Sequence, residues 1–370
     1  MKKFSCSKPL IIAHRGASGL RPEHTLAAYQ LAIEQGADFI EPDLVPTKDA
    51  ILVARHENAL AILDSDGSIN RSNTTTDVFK YPQFQDRLTT KIINGQTITG
   101  WFTEDFTLAE LKTINAIQRL PELRGTKYDH HQLKIPTLVE IINLVQQIEQ
   151  ITGKKIGIYP ETKHPTYFAK EGKKLDGTLI NLSIEKLLID TLIAQNFTNP
   201  EQIFIQSFEI NNLQALKYSI MPKVRLDLPL IQLINNTGSP YDQKIINNNL
   251  TYRDLKTPQG LTQIANYAVG IGVAKNLIIP VDKHNNSLSP TSLIQDAHQA
   301  GLLVHAYTFR NENIFLANDY QNKPELEYQQ LIELGIDGFF TDFPATVTVK
   351  TRHVASLQLS VISDQLSVNN

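Results

Sequence analysis

Two acids stand two residues apart in the apolar run Phe39 to Val45, Glu41 and Asp43. Side chains alternate between the faces of an extended strand, so both carboxylates project the same way, and buried charge of that kind is costly without a partner. A third acid, Glu161, closes the run Ile156 to Tyr159, and Lys163 follows at the same two-residue spacing. With no cysteine nearby, three carboxylates suit a hard, oxygen-preferring cation such as Mg²⁺ or Ca²⁺. A set of strand-end ion pairs would use the same residues, and the pattern alone leaves both readings open. His14 and Arg15 end the run Leu10 to Ala13, and His56 ends the run Ile51 to Ala54. If all these residues share one face, the chain holds a proton donor, a proton acceptor, a phosphate clamp and a metal site. Those parts suit phosphodiester cleavage, in which cations offset phosphate charge while imidazoles move protons.

The elements that must position these groups alternate along the chain. Short apolar runs at Leu10 to Ala13, Phe39 to Val45, Ile51 to Ala54, Ile156 to Tyr159, Ile203 to Ser207, Val224 to Leu226, Val273 to Ile279, Leu302 to Tyr307 and Gly338 to Thr341 read as strands. Between them, Thr25 to Gln35, Leu138 to Glu149, Leu179 to Ala194, Glu209 to Tyr218, Gly260 to Tyr267, Ser292 to Ala300 and Glu325 to Leu334 have helical period. About eight strand and helix pairs is the count for a (β/α)₈ barrel. In such a barrel His14 and His56 would open onto the same carboxyl-end face as the acids.

Two stretches break the rhythm. From Asp64 to Lys134 the chain is polar and turn-rich, which predicts a small inserted subdomain, and Asp227 to Pro258 reads as a second irregular segment, asparagine-rich at Asn235-Asn236 and Asn247 to Asn249. Both are expected as long loops that shape a pocket or else decorate the surface. Trp101 is expected to anchor the insert's small core.

The chain has 370 residues, 41% hydrophobic and 20% charged, which excludes a disordered or fibrous protein. Lysine and arginine number 35 against 38 acids, so no electrostatic footprint for duplex DNA or anionic lipid is present. The single cysteine, Cys6, cannot form an internal disulfide, and no zinc-type spacing occurs. Met1 to Ser7 carries lysines without an apolar core. As written the chain is therefore expected in the cytoplasm, or in the periplasm if a leader is missing from it. No membrane span is legible, and the oligomeric state is not readable.

Several fragments, in order, carry a resemblance. They are His14-Arg15-Gly16-Ala17-Ser18-Gly19, Pro22-Glu23-His24-Thr25, Gly36-Ala37-Asp38, Glu41-Pro42-Asp43-Leu44-Val45 and Thr47-Lys48-Asp49. Later come Tyr159-Pro160-Glu161-Thr162-Lys163, Gln206-Ser207-Phe208, His305-Ala306-Tyr307-Thr308 and Phe340-Thr341-Asp342-Phe343-Pro344. Together they closely resemble the glycerophosphodiester phosphodiesterase family up to about Val349, and the long insert looks like its larger, glycerophosphodiester-hydrolysing branch.

The resemblance implies an α/β fold, a TIM-type (β/α)₈ barrel over 8–349 with the insertion at about 64–134 after the second strand region, and a C-terminal tail at 350–370. It implies metal-dependent hydrolysis of glycerophosphodiesters, such as glycerophosphocholine or glycerophosphoethanolamine, to sn-glycerol 3-phosphate and an alcohol. Glu41, Asp43 and Glu161 would hold Ca²⁺ or Mg²⁺, His14 and His56 would form the acid and base pair, and Arg15 and Lys163 would contact phosphate. Phe208 and Tyr307 match positions that line the pocket. His24 is expected to brace its loop, and His164 and His305 to flank the site. His130-His131 lie in the insert. Glu57 departs from the aspartate usual after the second catalytic histidine, and Pro42 falls at a variable position. Two alternatives remain on sequence: a lysophospholipase D-type phosphodiesterase acting on acylated substrates, and a barrel that binds without catalysis.

Overall fold

The structure, a computed structural model, describes residues 8–348. Met1 to Ser7 with Cys6, residue 349 and the expected tail lie outside the described residues. The strands in chain order are β1 (Leu10–His14), β2 (Phe39–Glu41), β3 (Asp43–Pro46), β4 (Leu52–Ala54), β5 (Ala59–Ile62), β6 (Thr89–Ile93) and β7 (Gln96–Phe102). They continue as β8 (Gly157–Ile158), β9 (Glu161–Thr162), β10 (Ile205–Ser207), β11 (Leu230–Ile234), β12 (Gly270–Ala274), β13 (Leu303–Phe309) and β14 (Gly338–Thr341).

Eight strand positions close into a parallel barrel. From β10 the order runs through β11, β12, β13 and β14 to β1 and β2. β2 and β3 are two halves of one strand position and β8 and β9 two halves of the next, so the pairings of β2 with β8, β3 with β9 and β9 with β10 close the ring. Ile40 faces Ile158 and Asp43 faces Glu161, one unbroken register that sets Pro42 opposite Pro160. Proline has no N–H to give a ladder, which divides each strand in two. Their carbonyls still accept, from Glu161 N at 2.9 Å and Gln206 N at 2.9 Å.

Ile12, Phe39, Tyr159, Phe204, Ile231 and Phe340 pack together as one buried cluster of strand-borne side chains. Truncating such a residue, Phe340→Ala for example, costs about 3–5 kcal/mol. Helices cover the outside. Leu138–Thr152 shows why they start and stop where they do: Thr137 and Glu140 form a reciprocal cap, and Gly153 closes the end at φ 70°, where a side chain would be strained.

Two expectations are corrected. Val224 to Leu226 is a turn after a helix, and the strand lies further on at Leu230–Ile234, inside the segment expected to be irregular. All five of its residues are buried, so it lacks the alternation that marks a one-sided strand, and Gln232 interrupts its apolar run. Likewise the run from Val273 onward is strand only to Ala274, and Lys275–Leu277 is a 3₁₀ turn. Between the second and third strand positions, β5, β7 and β6 form an antiparallel sheet within Ala59 to Phe102. Trp101 is buried there and donates Nε1–H to Phe84 O at 2.7 Å. Among the described residues no helix is long and apolar enough to cross a membrane.

Candidate active site

The residues at the barrel mouth meet because they are register partners. His14 on β1 faces Glu41 on β2, and Asp43 on β3 faces Glu161 on β9, which in turn faces Gln206 on β10. The carboxylates of Glu41, Asp43 and Glu161 lie within 4.8 Å of one another, all buried. Three anions so close are not stable without counter-charge. Burial, with Asp43 and Glu161 alongside, pushes Glu41 well above the usual carboxylate range. Burial also raises Glu161 to about 8, against the pull of Lys163. Burial would raise Asp43 too, but Lys163, His24 and His56 hold it well below the ordinary value.

Cations surround this cluster without filling it. Arg15 donates its backbone N–H to Glu41 at 2.9 Å and sets Nε 3.3 Å from Asp43 and Nη1 3.2 Å from Glu23. Its left-handed φ of 58° turns the chain so that backbone and side chain both reach the acids. Lys163 Nζ lies 3.0 Å from Glu161, and Gln206 donates to Glu41 at 3.1 Å while its own Oε1 is buried with no partner. An all-oxygen donor set, charge in excess and an orphaned amide oxygen fit a hard divalent cation.

Two imidazoles flank the acids, each with Nδ1 turned to a carboxylate. His14 Nδ1 lies 2.7 Å from Asp342, the residue after β14, which also accepts from Arg124 Nη2 at 2.7 Å and Arg310 Nε at 3.0 Å. His56 arrives by a route the sequence did not suggest. The strand β4 runs antiparallel to β3, so its carboxyl end points back toward the barrel, and Arg55 N–H donates to Asp43 O at 2.9 Å. The hairpin rises above the mouth and returns, setting His56 level with the acids. Its Nδ1 is 2.9 Å from Glu57, off the line of a hydrogen bond, and Glu57 is also 2.7 Å from His164 Nε2. Burial and the charge of Arg15 push His14 toward its neutral form; burial, Arg15 and Lys163 do the same to His56.

Phe208 and Tyr307 meet edge to face at 6.1 Å, and Lys163 Nζ lies 5.9 Å from the Phe208 ring centre. His24 is fully buried between Asp43, at 2.9 Å, and Tyr29, at 2.8 Å. His305 sits deeper, against Tyr159 Oη at 2.8 Å, while His130 and His131 are exposed in the insert. Asp342 and Arg124 went unread as site residues. Asp342 stands just past the end of β14 and within one of the fragments that carry the family resemblance, and those were its signals; Arg124, in the insert, had none.

Three crowded carboxylates flanked by two imidazoles at the mouth of a parallel barrel suit the chemistry of a phosphoric diester hydrolase on the TIM frame. The model of the glycerophosphoryl diester phosphodiesterase family matches residues 14–346. The chain belongs to that family and is an enzyme, a glycerophosphodiester phosphodiesterase. It is 35% identical over 355 residues to glycerophosphodiester phosphodiesterase GDPD6 of Arabidopsis thaliana, covering 94% of this chain and 87% of that protein. It is 29% identical to the glycerophosphodiester phosphodiesterase of Haemophilus influenzae, covering 92% and 89%. Solved structures agree on the fold. An Oleispira antarctica phosphodiesterase in complex with the product sn-glycerol-3-phosphate superposes with TM-score 0.54 at 20% identity, covering 92% and 96%. The glycerophosphodiester phosphodiesterase of Agrobacterium tumefaciens gives 0.52 at 18%, covering 91% and 98%.

Proposed function

We propose that this enzyme hydrolyses soluble glycerophosphodiesters, glycerophosphocholine and glycerophosphoethanolamine among them, to sn-glycerol 3-phosphate and an alcohol, with Mg²⁺ or Ca²⁺ held by Glu41, Asp43 and Glu161. The observation that carries this reading is the buried triad of carboxylates within 4.8 Å, bordered by Arg15 and Lys163. A divalent cation held there would supply positive charge to the phosphate oxygens. Arg15 and Lys163 hold the same phosphate by charge-assisted hydrogen bonds, and Phe208 and Tyr307 border the glycerol.

His14 accepts at Nε2 the proton of the attacking oxygen, that of water directly or that of the neighbouring glycerol hydroxyl with water then opening the cyclic phosphate, since Asp342 occupies Nδ1 and burial favours its neutral form. His56 donates a proton to the leaving alcohol. An anionic phosphate offsets Arg15 and Lys163, the cations that depress His56, and so favours its protonated form once substrate is in place. The domain reading that accompanies this is one barrel over 8–349, with the insertion at about 64–134 and a separate tail at 350–370.

The test is release of glycerol 3-phosphate from glycerophosphocholine by purified protein with added Mg²⁺ or Ca²⁺, run beside lysophosphatidylcholine. Product from the first and little from the second is expected. The reverse order would favour the acylated substrate, and no product from several headgroup diesters would overturn the reading.

A further inference from the structure

The proposed catalytic groups occupy one side of the barrel mouth, carried by β1, β2, β3 and β9 and by the residues that follow β4, β9 and β14. Over the ends of β11, β12 and β13 lies a cavity of about 460 Å³, large enough to enclose a small organic group. It touches the catalytic side twice. Tyr307, one of its walls, packs on Phe208 at 6.1 Å, and Arg310, another, donates Nε–H to the Asp342 that holds His14. A phosphate diester has two substituents, so a substrate with its phosphate at Arg15 and Lys163 must direct one of them across the mouth.

We propose that this cavity receives the leaving alcohol and selects a polyol over a trimethylammonium alcohol; this rests on the hydrolytic reading above. Each of the three strands places a polar side chain just past its carboxyl end: Asn235 and Asn236 after β11, Asn276 after β12 and Arg310 after β13. Asn236 and Asn276 are exposed to the cavity, where amides give and accept hydrogen bonds as hydroxyl groups require. A quaternary ammonium needs an open aromatic face or a free carboxylate. Neither is offered. The Arg310 guanidinium covers the Phe315 ring at 4.3 Å, and the one acid in the wall, Glu327, has both oxygens on Lys275 Nζ, at 2.6 and 2.8 Å. The Arg310 guanidinium, which gives Nε–H to Asp342, has further N–H groups to offer hydroxyl oxygens.

The experiment uses the full chain with Mg²⁺ or Ca²⁺ and compares kcat/KM for glycerophosphoglycerol and glycerophosphocholine. The polyol diester is expected to lead by ~5-fold or more, and Asn276→Asp, which adds a charge to the wall at an exposed position, is expected to move the ratio toward choline by ~3- to 10-fold. Asn236→Asp provides an independent second variant, and thermal midpoints of both confirm folding. A wild-type preference for choline would overturn the proposal. So would equal loss on both substrates, which would place the shared glycerol half in the cavity. If wild type cleaved neither diester, the hydrolytic reading itself would fall.

Discussion

The two imidazoles are built in opposite ways. His14 and Asp342 are 328 residues apart, on the first and last strands, and meet only because β1 pairs with β14 to close the barrel. Their side chains are 11% and 2% exposed, and two arginines pin the aspartate. His56 and Glu57 are neighbours in sequence on a returning hairpin, 24% and 38% exposed, steadied by His164 from the loop after β9. A partner fixed on every side holds one tautomer and one direction, while a partner on a half-open loop can follow a moving group. The rigid side suits a proton acceptor that must meet the attacking oxygen in one geometry. The looser side suits a donor that serves leaving alcohols of different shape.

The largest expected effect falls on what both sides share. Exhaustive chelation should abolish turnover and added Mg²⁺ or Ca²⁺ should restore it, and Asp43→Asn should bind the ion too weakly to recover at ordinary concentrations. Full activity after chelation, followed by product release, would separate the acids from the chemistry. Next, His14→Ala and His56→Ala should each lower kcat ~10²–10⁴-fold. A nitrophenyl diester, whose leaving group needs no proton, should rescue His56→Ala and leave His14→Ala slow. Equal rescue would erase the distinction between the two sides.

The carboxylate partners sharpen it further. Asp342→Asn should cost ~10²-fold in kcat with little change in KM, whereas Glu57→Gln should cost under ~10-fold, because its imidazole is held more loosely. The opposite ranking in steady-state kinetics would reverse the assignment of rigid and adaptable halves.

The smallest effect concerns stability beneath the His164 loop. Glu209 accepts from Thr166 N at 3.2 Å, and burial, with Asp242 nearby, raises it from an ordinary 4.5 to about 8 despite the Thr166 hydrogen bonds. The folded state therefore keeps a proton that the unfolded chain releases, so this contribution is complete below pH 4.5 and is lost as pH rises to about 8. Glu209→Gln should flatten the decline in urea midpoint between those values. An unchanged slope would show that Glu209 is ionised in the folded protein.

Sequence alone determined the parts and the period. Alternating strand and helix signals gave the barrel, and Glu41, Asp43, Glu161, Lys163, His14 and Arg15 were legible because each stands at a strand end, where two-residue spacing sets the direction of a side chain. What spacing cannot express is which strands become neighbours. The closure of β14 on β1 brings Asp342 to His14, and the insert's fold carries Arg124 onto the same carboxylate. The strand Leu230–Ile234 stayed hidden for a related reason: buried on both faces, it has no alternation to read. The return of β4 along β3 placed His56, since a strand signal carries no sign for parallel or antiparallel. Local chemistry belongs to the sequence because it depends on near neighbours, while pairing across hundreds of residues is decided by the ladder and the packing that close the ring.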